Sequence, residues 1–167
     1  MDDDILIIDD ERAVADHVKQ GWKVLIVDDE PEVHRITKMT LARFEFDGRP
    51  LEFLHAFTGE EAVTIMAHEP DIALILLDVV MESDNAGLMV VRRVRDELKN
   101  NQVRIVLRTG QPGQAPEDQV VDSYDINDYK DKTELTSQKL RTLIRASLRS
   151  FRDICTLEQH RRGLEKV

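Results

Sequence analysis

The chain has 167 residues, enough for one domain with a sizeable core plus tails and too few for two full domains. Its 41% hydrophobic and 34% charged residues exclude wholesale disorder. A formal net charge of -10 repels nucleic-acid phosphates and anionic lipid, which counts against direct binding to either.

The longest strongly apolar run, Ile72 to Leu77, is far shorter than the roughly 20 residues of a membrane span. The start, MDDDILIIDDE, lacks the positive region and cleavage site of a secretory signal, so a cytoplasmic location is expected. Cys155 is the only cysteine, which precludes an intrachain disulfide and suits a packing role in an apolar helical pattern.

In chain order, Ile5 to Glu11 (ILIIDDE) echoes Val24 to Glu30 (VLIVDDE), and only the second copy is followed by a full run of alternating elements. Residues 1–21 are therefore read as an extension, and the working site is assigned to the second copy. Lys23 to Val27 predicts a strand ending in Asp28-Asp29-Glu30. A helix opened by Pro31 follows, with Val33, Ile36, Met39, Thr40 and Phe44 at helical spacing. Leu51 to Phe57 predicts a second strand and Gly59 to Met66 a second helix.

Ile72 to Leu77 has the continuous apolar pattern of a strand buried on both faces. Leu88 to Leu98 predicts a third helix with Arg and Glu outward, Val103 to Leu107 a fourth strand, Glu117 to Ser123 a short helix and Ile126 to Tyr129 a fifth strand. From Thr136 onward the pattern is helical without a break. Some 30 residues at 1.5 Å each reach roughly 45 Å, more than is needed to cover a small domain. Residues 22–150 are read as the domain and 151–167 as a helical extension or linker toward an output domain, with a homodimer through this helix as one use of it. The alternation predicts an α/β fold: a doubly wound, five-stranded parallel sheet with helices on both faces, whose ligands bind at the carboxyl ends of the strands.

The chemistry gathers at those ends. Asp78 closes a strand of Ile and Leu, where a carboxylate is costly without a partner. Asp28 and Asp29 close another strand, and if the two strands are neighbours, three like charges converge and need a cation. An oxygen-only set with open positions suits Mg2+, and no Cys or His cluster points to zinc. Thr109 follows the fourth strand and Lys132 the fifth, adding a hydroxyl donor and a positive charge suited to a phosphoryl group.

The ordered set Asp28-Asp29, Asp78, Thr109, Tyr129 and Lys132 resembles the response-regulator receiver domain of bacterial two-component systems, over Lys23 to about Phe151. The resemblance implies that Asp78 accepts a phosphoryl group from a sensor histidine kinase or phosphotransfer protein. It implies that Asp28, Asp29, Asp78 and the backbone carbonyl of Val80 hold Mg2+, that Lys132 contacts the phosphoryl group, and that Thr109 and Tyr129 relay the change. It also implies a signalling phosphoacceptor rather than an enzyme, with its output domain outside this chain. VLRTGQPGQAPE and DYKDKTEL look like receivers of larger cyclic-di-GMP regulators of the HD-GYP or GGDEF type.

The chain departs from the family pattern at Glu82, where Met-Pro is usual, at Gly87, nine positions past Asp78 rather than eight, and at Thr133, where proline usually follows the lysine. Lys130 is a near rival of Lys132. The turn formers from Gly110 to Pro116 imply a short or late fourth helix. A haloacid-dehalogenase-type phosphohydrolase would want Asp where Val80 stands, and a flavin site would want a phosphate-binding turn where Asp28-Asp29-Glu30 stands. A receiver-like interaction module that is never phosphorylated is the alternative function.

Overall fold

The computed structural model describes residues 20–81, 85–109, 122, 124–131 and 136–165. In chain order they form β1 (Trp22–Val27), α1 (Pro31–Thr40), β2 (Glu45–Phe46), β3 (Arg49–Ala56), α2 (Gly59–His68), β4 (Leu74–Asp78), α3 (Ala86–Arg92), β5 (Arg104–Thr109), β6 (Asp128–Asp131) and α4 (Ser137–Glu165). The sheet order is β2-β3-β1-β4-β5-β6. Five strands are parallel neighbours, as the alternation predicts. The chain winds outward from β1 in both directions, so the crevice between β1 and β4 lies at the carboxyl ends where the winding reverses.

Strand alternation divides the core in two. Leu25, Val27, Ile75, Leu77, Ile105 and Leu107 pack under α2 and α3 against Ala62, Val63, Met66, Val90 and Val91. Val24, Ile26, Leu74, Leu76 and Val106 face the other way, against Leu140, Ile144 and Leu148 of α4. Every residue of β4 is buried, which its apolar run requires of a central parallel strand. α4 is one helix of 29 residues, about 44 Å long, and its outer part carries Leu157 and Leu164 exposed to solvent. No helix among the described residues is long and apolar enough to cross a membrane.

Four features differ from the sequence reading. A sixth strand, β2, pairs antiparallel with β3. Asp47 and Gly48 between them both have positive φ (56° and 73°), the pairing of a type I′ hairpin turn, so Asp-Gly folds the chain back here. On α1 the inward residues are His34 and Thr37, while Ile36 and Met39 are exposed, because this helix covers a polar part of the sheet. The third helix passes into a π-helical turn, Arg93–Glu97.

The fourth difference lies in that turn: Arg95 points inward rather than out. It donates to the carbonyl oxygens of Tyr124, Asn100, Val103 and Asp125, and burial pulls its pKa down to about 10. One guanidinium thereby satisfies four carbonyls where α3, β5 and the approach to β6 meet. The ILIIDDE repeat and the turn-rich Gly110 to Pro116 stretch lie outside the described residues, as does most of the short helix predicted over Glu117 to Ser123.

Candidate metal centre

β1 and β4 are adjacent, with Val27 opposite Leu77, so the residues that follow them, Asp28 and Asp78, emerge side by side. One carboxylate oxygen from each of Asp28, Asp29 and Asp78 lies within 4.8 Å of the other two. Asp28 and Asp78 are buried and Asp29 is exposed, so the cluster is walled on the protein side and open to water on the other. Such a group of like charges is tolerated when a cation shares it. Hard oxygen donors with an open side fit Mg2+, which keeps several of its waters.

The backbone holds these acids in place. The Asp28 amide donates to the Ala56 carbonyl at 3.1 Å, tying the acidic turn to the end of β3. The Glu30 amide donates to Asp28 Oδ1 at 3.0 Å, an Asx-type turn that leads into α1. His34 Nε2 meets the Asp28 carbonyl oxygen at 2.7 Å from inside α1. The Val80 amide donates to Asp78 Oδ1 at 3.3 Å, and the Val79 amide to the Arg108 carbonyl at 3.2 Å.

Gly87 starts α3 directly against this loop. Its amide donates to the Val79 carbonyl at 3.0 Å, and a Cβ on it would lie 2.5 Å from the Asp78 carbonyl oxygen. Only glycine allows that approach.

Thr109 ends β5, buried, one residue beyond Arg108, which stands opposite Asp78 in the sheet. Tyr129 lies in β6 with its backbone opposite Leu107, and Lys130 opposite Arg108. Lys132 lies outside the described residues. The fold thus gathers Asp28, Asp29 and Asp78, sets Val80 and Thr109 at the same sheet edge, and runs the Tyr129 backbone along the next strand.

Two buried polar residues at this edge escaped the sequence reading. Arg108 interrupts the apolar run VLRT, and that break was its only signal. His34 pairs its Nδ1 with His55 Nδ1 of β3 at 2.8 Å and stacks on Phe57 with ring centroids 4.3 Å apart. A lone His in an amphipathic helix carries no local mark of such a pairing.

No protein-family model matches the chain. Over 157 residues, 94% of the chain, it is 54% identical to the 3'3'-cGAMP-specific phosphodiesterase 2 of Vibrio cholerae, and it spans 30% of that protein's length. Over 93 residues, 56% of the chain, it is 34% identical to a chemotaxis protein CheY homolog of Campylobacter jejuni, covering 68% of that protein. The signal receiver domain of an HD domain-containing protein from Pseudomonas fluorescens superposes with a TM-score of 0.65 at 16% identity, over 80% of this chain and 99% of that one. Structures from two response regulators that contain a GGDEF domain are also among the solved structures it resembles.

The phosphodiesterase overturns one expectation. A signalling phosphoacceptor that is not an enzyme was expected, yet a relative more than half identical across nearly the whole chain is part of an enzyme. The family marks of a receiver, its strand-end acids and its sheet, are local features that an enzyme carries as readily as a free-standing signal protein. The chain belongs to the CheY-like response-regulator receiver family.

Proposed function

We propose that the chain is a phosphoacceptor: a sensor histidine kinase or phosphotransfer protein hands its phosphoryl group to Asp78, and the change of charge controls an output. The observation that carries this reading is the set of three carboxylates within 4.8 Å at the carboxyl ends of two adjacent parallel strands. An Asp78 oxygen attacks phosphorus in line, the phosphorus–nitrogen bond of the phosphohistidine breaks, and the imidazole leaves with the electron pair. Asp28, Asp29, Asp78 and the Val80 carbonyl would hold Mg2+, which supplies charge neutralisation on the phosphoryl oxygens when bound.

Asp28 is fixed for its part by the Glu30 amide and His34, so the carboxylates need no reorganisation at the moment of transfer. Lys132 would contact the phosphoryl group, and Thr109 and Tyr129 would carry the switch, biasing two arrangements of the β5–β6 edge. Residues 22–150 then form the phosphoacceptor domain, and 151–167 lead toward an output or pair with a second copy through the exposed Leu157 and Leu164. The relative's name makes a cyclic-dinucleotide phosphodiesterase the proposed output, with the receiver as its regulatory part, working in the cytoplasm.

Incubation with a small acyl-phosphate donor, with and without Mg2+, and intact-mass measurement test the reading. A Mg2+-dependent phosphoryl adduct that Asp78→Asn abolishes is expected. Persistence of the adduct in that variant would overturn the assignment, and no adduct in a protein that binds Mg2+ would favour an unphosphorylated interaction module.

A further inference from the structure

Asp78 and Arg108 are opposite one another in adjacent parallel strands, so both side chains leave the sheet toward α1. Arg108 is 5% exposed. Its Nη1 donates to Thr37 Oγ1 at 3.2 Å, and the Thr37 hydroxyl gives its own proton to the Val33 carbonyl at 2.7 Å. Its other two nitrogens, Nε and Nη2, are buried and have no hydrogen-bond partner among the described residues. A buried, under-bonded guanidinium is costly unless a nearby charge compensates it. Burial pulls its pKa down while Asp28 and Asp78 push it back up, and an arginine so placed keeps its charge.

We propose that Arg108 is a resident counter-cation of the acid cluster, holding part of its negative charge from the protein side and thereby weakening the binding of Mg2+ from the solvent side. This rests on reading the cluster as the Mg2+ site. Three carboxylates face the ion from outside, and two of them, Asp28 and Asp78, feel one fixed positive charge from within. The fixed charge repels a divalent cation held by those carboxylates, and a buried charge is screened less than one in water. The affinity is therefore set lower than three carboxylates alone would give, by a residue outside the coordination sphere. Arg108 is a positioning and tuning residue, tied to α1 by Thr37.

Titration calorimetry of MgCl2 into the full chain compares wild type with Arg108→Met, which keeps an unbranched apolar stem and loses the charge, and Arg108→Lys, which keeps the charge. Arg108→Met is expected to bind Mg2+ about tenfold more tightly, and Arg108→Lys within about twofold of wild type. A merely structural arginine would lower stability without tightening the metal. A folded Arg108→Met protein that binds Mg2+ equally or more weakly overturns the proposal while leaving the metal site standing. If circular dichroism shows that the Met variant does not fold, Arg108→Gln is read by the same criterion. A wild-type chain that takes up no Mg2+ removes the metal reading and this inference with it.

Discussion

His34 on α1 and Asp28 at the end of β1 are joined by a 2.7 Å hydrogen bond in which the imidazole Nε2 donates to the backbone carbonyl of the acid. Because Nε2 carries the proton, Nδ1 of a neutral His34 is an acceptor, and His55 Nδ1–H is the donor in the 2.8 Å contact between the rings. Both tautomers follow from one carbonyl. Replacing His34 by Leu leaves that buried carbonyl and the His55 donor without these partners. The expected loss is about 1–3 kcal/mol of stability, read as a lower urea midpoint at unchanged slope. An unchanged midpoint would mean that water replaces the imidazole at no cost.

Burial above all, with coupling to His34 and the charge of Lys38, holds the His55 pKa below its ordinary value of 6.5. Below pH 6.5 the unfolded chain then binds more protons at this residue than the folded one, so the contribution of neutral His55 is present above that pH and is lost as pH falls through the depressed folded value. Urea midpoints are expected to fall between pH 7.5 and pH 5.5, and to fall less in His55→Leu. An equal fall in both proteins would place the effect elsewhere.

Gly87→Ala puts a Cβ 2.5 Å from the Asp78 carbonyl oxygen and 2.7 Å from Val79 Cα, both backbone atoms with no side-chain freedom to yield. Moving α3 away from the loop is the available relief. The expected cost is about 1–3 kcal/mol, by analogy with overpacked cores, together with slower formation of the phosphoryl adduct. An alanine variant with wild-type stability and labelling rate would show that the loop accommodates the methyl.

Ile144 and Leu157 share α4 but differ in surroundings: Ile144 is fully buried against the sheet, and Leu157 is 68% exposed. Ile144→Ala is expected to cost about 2–5 kcal/mol. Leu157→Ala should change monomer stability by less than about 0.5 kcal/mol. If the outer helix pairs two copies, Leu157→Ala instead lowers the concentration-dependent part of the sedimentation behaviour, which distinguishes a dimer seam from a solvated helix.

Much of this arrangement was legible in local sequence. An apolar run that stops at Asp78, a second that stops at Asp28-Asp29, and the alternation between them are short-range patterns, and they placed the parallel strands; that the acids meet depended on those two strands being neighbours, which the sheet order supplies. The Asp47-Gly48 turn was missed although Asp-Gly is a hairpin signal, because the two-residue strand before it is too short to show periodicity. The departure at Gly87 was visible as a spacing. Its meaning, a helix start lying on the backbone of Asp78, was not.

What the sequence by itself determined is the alternation of the parallel strands with helices, the run of burial along β4, the length of α4 and the identity of the acids at the strand ends. Which face of α1 turns inward was decided only by tertiary structure. Apolar spacing favoured Ile36 and Met39, whereas the fold buries His34 and Thr37, because α1 lies over Asp28 and Arg108 rather than over an apolar surface. Thr37 and Arg108 are 71 residues apart, and His34 and His55 are 21 apart. Buried polar groups must be satisfied wherever partners are found, and here the partners come from other elements of the fold, so no local pattern records them.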